Sequence, residues 1–231
     1  MPESSQKFEM SAPVAILLSG VLIAAAIIFT NYSKPGDSLS GVEAAGGAVE
    51  TAVSEPSPQD HWRGSSTAPV VLVEYSDFQC PYCSSIHPTI KRIVDESDGE
   101  VAWVYRHLPL ESIHPQARSA AVASECIAEQ LGDEGFWGFA DRVFGSSPTL
   151  GDAYYTQTAA ALGADAVAFA SCMASGRHDA RIDADIAEAF ENGGSGTPFT
   201  VVIAGDTQIP VSGALPYAQI QAVIQSAKSR Q

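Results

Sequence analysis

Basic residues are scarce in this sequence: Lys and Arg number 12 against 27 Asp and Glu, for a formal charge of -15 over 231 residues. Phosphate recognition rests on clustered Lys and Arg, and here the few there are never form a run, which excludes a nucleic-acid partner. Cysteine is also rare, at four residues, so the chain is not a small scaffold built on disulfides. The histidines His61, His87, His107, His114 and His178 stand singly, without the short-spaced second pair that a four-ligand zinc site needs. No internal repeat is present. What remains is a chain that is 45% hydrophobic, enough to bury one core of ordinary size.

The chemistry is concentrated at Cys80-Pro81-Tyr82-Cys83. This tetrapeptide follows the apolar run Val70-Val71-Leu72-Val73-Glu74-Tyr75 and precedes a stretch with helical character, the junction a redox dithiol needs. At a helix start, unpaired backbone N–H groups and the positive end of the helix dipole favour thiolate over thiol. Cys80 is therefore expected to be a nucleophile, with its pKa drawn from about 8.5 toward roughly 3.5 to 7.5. Cys83, one turn further in, is expected to be the shielded resolving thiol. A Cys-x-x-Cys is also half of many zinc sites, but Cys126 and Cys172 stand alone and supply no second half. No metal and no cofactor is expected.

Residues 12–30 carry no charge and are about long enough to cross a bilayer as a helix. A cleaved signal peptide would want a basic start, a shorter apolar core and a small-x-small site after it. Here Glu3, Lys7 and Glu9 precede the run, and Ala24-Ala25-Ala26 lies inside it. The expected organisation is a cytoplasmic N-terminus over 1–11, a transmembrane anchor over 12–32, a flexible tether over 33–60 and a folded domain over 61–231. Lys7 and Lys34 balance across the anchor, so charge bias does not orient it. Dithiol chemistry does, because disulfides persist outside the cytoplasm. Rich in Gly, Ala, Ser, Pro and Glu, a tether of about 28 residues would reach roughly 30 Å as a random coil.

Within the domain, the expected order is a strand at 70–75, a helix from Cys80 to about Glu96 bent where Pro88 removes a donor, and a second strand at 101–106, together one βαβ unit. Helical periodicity then runs over 117–130, 135–144, 153–162, 165–175 and 179–190, a helical insertion at about 112–191. Strands return at 199–203 and 209–211, and 218–228 closes the chain as a helix.

A βαβ unit with Cys-x-x-Cys at its first helix, a helical block, and a hairpin plus final helix reached through Gly196-Thr197-Pro198 resembles the thioredoxin fold with a helical insertion, as in the DsbA family of extracytoplasmic thiol-disulfide oxidoreductases. The resemblance spans about 61–231 and rests on Val70 to Tyr75, Cys80 to Cys83, Arg106-His107-Leu108-Pro109-Leu110 and Thr197-Pro198 together. It implies an α/β fold behind one transmembrane helix, and a cis Pro198 beside the dithiol, with Thr197, Pro81 and Tyr82 meeting an extended substrate. It also matches Glu74, six positions before Cys80 in an otherwise apolar strand, to the family's buried acid; burial would raise its pKa. The dipeptide departs from the Pro-His of the prototype, so a less strongly oxidising protein is expected. Cys126 and Cys172, on two insertion helices, are expected to form a structural disulfide, with two separate buried thiols as the alternative. His107 and His114 are given no catalytic role.

The function expected is disulfide formation or exchange in secreted or membrane proteins, the partners being unfolded or cysteine-containing chains and a membrane protein that reoxidises or reduces the dithiol. Reduction or isomerisation would use the same residues. A membrane-tethered Cu(I) metallochaperone and a plain peptide-binding module remain as other classes.

Overall fold

The computed structural model describes residues 52–230, so the expected anchor at 12–32, the segment before it and most of the tether lie outside the described residues. Among the described residues no helix is long and apolar enough to cross a membrane. They form five strands and six helices: β1 (His61–Arg63), β2 (Val70–Ser76), α1 (Pro81–Asp95), β3 (Val101–His107), α2 (Ala117–Ser146), α3 (Asp152–Leu162), α4 (Ala166–Met173), α5 (Asp179–Glu191), β4 (Phe199–Ala204), β5 (Thr207–Ser212) and α6 (Tyr217–Lys228). The strands make one sheet in the order β1-β3-β2-β4-β5.

The centre of the sheet is the βαβ unit. β2 and β3 run parallel, with Glu74 opposite Tyr105 and Ser76 opposite His107, and α1 crosses between them. β4 is antiparallel to β2, β5 to β4, and β1 to β3. Alternation along the strands sorts side chains to two faces. Leu72, Trp103, Tyr105 and Val202 meet Ile86 and Ile90 of α1 on one face, where Phe136, Phe139 and Ile224 join the same core. Val73, Tyr75, Val104, Phe199 and Val201 meet Ala189 of α5 on the other. α1 buries Cys83, Ile86, His87, Ile90, Ile93 and Val94, a helical stripe at three- and four-residue spacing, and continues through Pro88 to Asp95.

The insertion is helical as expected. α2 contains both helices expected over 117–144, because Gly132, at φ 65° and ψ -156°, breaks the helical path between them. Cys126 and Cys172 form a disulfide that joins α2 to α4. Two elements depart from expectation. β1 is three residues long, too short to leave an alternating pattern in the sequence. The tether, expected to stay free to 60, is docked over its last residues: Val53 is 3% exposed and sits in the second core. The Ala52 N–H donates to Asn192 Oδ1 (2.7 Å), Val53 N–H to Gln208 Oε1 (3.0 Å) and Ser54 N–H to Glu188 Oε1 (2.7 Å). Buried Arg106 pairs with both Asp60 (2.9 Å) and Glu188 (2.7 Å). Every one of these partners is distant in sequence, which is why composition alone made the strap at 52–60 look free.

Candidate active site

Cys80 is the N-cap of α1, in extended conformation with Pro81 as the first helical residue. A Pro there loses nothing, since its missing N–H has no intrahelical partner. The turn leading in is closed by Cys80 N–H donating to the Asp77 carbonyl (3.0 Å). Cys80 is 4% exposed, while Tyr82 beside it is 66% exposed and Pro81 is also on the surface. Across the gap lies the Thr197-Pro198 bond, which is cis, and the Cys80 thiol is 3.5 Å from the Thr197 carbonyl oxygen. Gly194, on the approach to that bond, packs so closely that a Cβ there would lie 2.7 Å from the Phe199 ring and 2.9 Å from the Ala189 carbonyl.

The two thiols are both unpaired in this structure, and their surroundings drive them apart. The side chain of Cys83 lowers the pKa of Cys80 to about 5; burial opposes this, while Thr197 and the backbone N–H groups of Cys83 and Tyr82 reinforce it. Burial and the Cys80 side chain hold Cys83 well above the usual thiol range, aided by the charge of Glu74. The pair thus offers one thiolate and one neutral thiol at neutral pH. Glu74 is 1% exposed, and burial pushes its pKa up to about 7, against the nearby Ser76 and Trp103.

Seven of the residues singled out from sequence, Cys80, Cys83, Glu74, Pro81, Tyr82, Thr197 and Pro198, gather at this end of the sheet, while Cys126 and Cys172 lie in the insertion. Sequence reasoning missed two more. The buried Asp77 carboxylate accepts from Gln79 N–H (2.7 Å) and Leu110 N–H (2.9 Å) and lies 2.8 Å from His114 Nδ1, tying the Cys80 turn to the segment after β3. Ser76 lies one alternation beyond Glu74, on the face that carries Cys83; two polar residues at that spacing in an apolar strand were the signal. Beside Cys80 a groove of about 380 Å³ is lined by Phe78, Gln79, Pro81, Phe144 and Leu150.

The buried His61, His107 and Glu125 have metal-ligand spacing. The Glu125 oxygen already lies 2.7 Å from His61 Nε2, 2.8 Å from His107 Nε2 and 3.2 Å from the Arg181 guanidinium, so a cation would meet a charge already in place. Burial opposes ionisation of Glu125, but the two histidines hold it far below the usual carboxylate range. The triad reads as an ion-pair network joining β1, β3 and the insertion.

Comparison with known proteins adds four findings. The thioredoxin family description matches residues 56–226. The crystal structure of Pseudomonas aeruginosa DsbA2 has a TM-score of 0.64 and 28% identity, covering 76% of this chain and 98% of that one. A thioredoxin-like oxidoreductase from Silicibacter pomeroyi has a TM-score of 0.65 and 27% identity, covering 75% of this chain and 94% of that one. Among curated proteins, the Na(+)/H(+) antiporter NhaA 3 of Salinispora tropica is 36% identical over 155 residues, 67% of this chain. The chain spans 23% of that protein's length, so most of the antiporter has no counterpart in the match.

Proposed function

The chain belongs to the thioredoxin family, and on that premise we propose that it is a DsbA-type thiol-disulfide oxidoreductase acting outside the cytoplasm, forming or exchanging disulfides in secreted or membrane proteins. One observation carries the reading: Cys80 at the start of α1, with its pKa near 5, beside a Cys83 held neutral by burial. A substrate thiolate attacks the Cys80 sulfur of the Cys80-Cys83 disulfide, and Cys83 leaves as a thiolate that takes up a proton. A second substrate thiolate attacks the substrate sulfur of the mixed disulfide and expels Cys80. A low-pKa thiol leaves readily, so this step favours release of an oxidised substrate.

In this reading Glu74 supplies the proton to Cys83, while Thr197 and Pro198 offer backbone to an extended substrate. Pro81 and Tyr82 give it an exposed contact surface. The Cys126–Cys172 disulfide supports a compartment in which disulfides persist. Residues 12–32 are proposed as the membrane anchor, which would place the domain beside a membrane partner that reoxidises the dithiol. The antiporter names of the curated relatives describe proteins matched over less than a quarter of their length, and antiport is not proposed here.

The test is the reduction potential of Cys80-Cys83 in the full-length chain, equilibrated in glutathione buffers. A value at about -120 to -180 mV is expected for a disulfide donor. A value at or below about -230 mV would overturn donation and point to a reductase or isomerase.

A further inference from the structure

Beneath Cys83 the sheet places four buried polar atoms on one face. Glu74 and Ser76 sit two apart on β2, Trp103 and Tyr105 two apart on β3, and the parallel register sets Glu74 against Tyr105. Alternation points all four toward α1, the helix that carries Cys83. Glu74 Oε2, Ser76 Oγ, Trp103 Nε1 and Tyr105 OH are each fully buried, and in this static geometry none completes a hydrogen bond with a described residue. Buried polar groups are almost always paired, so four unpaired ones on the sheet face beneath the helix that carries Cys83 mark a candidate path for protons. Ser76 stands at the centre, because its hydroxyl is near enough to ease ionisation of Glu74, of Cys83 and of Tyr105 alike.

We propose that Ser76 is the relay between Glu74 and Cys83: its hydroxyl accepts the carboxylic proton of Glu74 while passing its own proton to the Cys83 thiolate. The inference rests on the oxidoreductase reading above and names the path of its proton. The step balances. The substrate thiolate and the Cys80-Cys83 disulfide become a mixed disulfide and a Cys83 thiolate; then Glu74 carboxylic acid and Cys83 thiolate become Glu74 carboxylate and Cys83 thiol, with Ser76 unchanged. In the reverse direction Cys83 loses its proton by the same route before it attacks Cys80. The Tyr105 phenol, kept neutral by burial, sits opposite Glu74 in the register and takes no part in the transfer itself. The titratable groups facing Ser76 are Glu74 on its own strand, Asp77 next to it, Tyr105 and His107 from β3, and Cys80 and Cys83 from α1.

The experiment follows the rate at which reduced glutathione opens the Cys80-Cys83 disulfide in the full-length chain from pH 5 to 9. With Ser76→Ala, opening is expected to slow about tenfold near neutral pH and to lose the dependence that tracks Glu74, less than the roughly hundredfold or more that a positioned acid–base group contributes, because Glu74 itself stays in place. Ser76→Thr, which keeps a hydroxyl, is expected to restore both. Alkylation of reduced Cys80 by iodoacetamide, which does not need the relay, is expected to stay within about twofold in both variants. A Ser76→Ala chain with the wild-type rate and pH profile would overturn the relay. If that variant does not fold, the wild-type chain still decides in mixtures of H2O and D2O: a curved rate dependence, two protons in flight, supports the relay, and a linear one overturns it. A wild-type disulfide that glutathione does not open would instead defeat the oxidoreductase reading itself.

Discussion

At the scale of single residues, the site works by placing like groups in unlike surroundings. Cys80 and Cys83 have only two residues between them, yet one is eased into its charged form and the other denied it. Iodoacetamide is expected to modify Cys80 with a titration midpoint near pH 5 and to leave Cys83 untouched at neutral pH, as peptide mapping would show. Stability follows from the same shifts. The Cys80 pKa is lowered on folding, so the reduced protein gains stability as pH rises from about 5 toward 9 and loses it as pH falls back through 5. Glu74 has the opposite sign: its raised pKa destabilises the fold increasingly as pH rises from 4.5 to about 7. Glu74→Gln is therefore expected to stabilise the chain by up to about 3 kcal/mol at pH 8 and by almost nothing at pH 4, measured by urea unfolding. Glu74 was legible in the sequence because a charge in an apolar strand stands out. Asp77 was not, because its partners Leu110 and His114 arrive only when the chain folds.

Elements show a different limit. The strands and helices around the dithiol follow from local pattern: β-branched and aromatic runs for β2 and β3, a three- and four-residue apolar stripe for α1, and glycine breaks in the insertion. The three residues of β1 carry no pattern of their own and become a strand only because β3 offers an edge. How elements are fastened is also partly hidden. The Cys126–Cys172 disulfide closes a loop with a sequence separation of 46, and replacing both cysteines by Ala is expected to lower stability by up to about 4 kcal/mol. The same variant should leave the Cys80-Cys83 potential unchanged. Gly194→Ala belongs to this scale too, since the added methyl would press on Phe199 and on the Ala189 backbone. Loss of stability by about 1 to 3 kcal/mol is expected from such overpacking, together with slower exchange because the segment leading to Pro198 shifts.

For the molecule as a whole, the expected thioredoxin-like architecture with its insertion is present, and the boundary of the folded part is what moved. A domain expected to begin at 61 begins at least as early as 52, because Val53 fills the second core and Arg106 gathers Asp60, Glu188 and Tyr75 around it. Removing one partner of a buried ion pair leaves the others uncompensated, so Arg106→Met is expected to cost about 3 to 5 kcal/mol. Limited proteolysis should reveal it: variant chain is cut within 52–60, where wild-type chain resists. Sequence could not announce this, since the anchors Asn192, Gln208 and Glu188 lie more than 130 positions away.

The strap also decides where a mechanical load goes. A pull on Ala52 is taken up by Asn192, Gln208, Glu188 and Arg106, all tied to the face of the sheet that α5 covers. Cys80 and α1 ride on the opposite face, outside that line of force. Held from its N-terminal side, the protein would work like a tool gripped by the handle: tension enters through the strap and the α5 face, and the helix that carries the two sulfurs lies on the far side of the sheet from it.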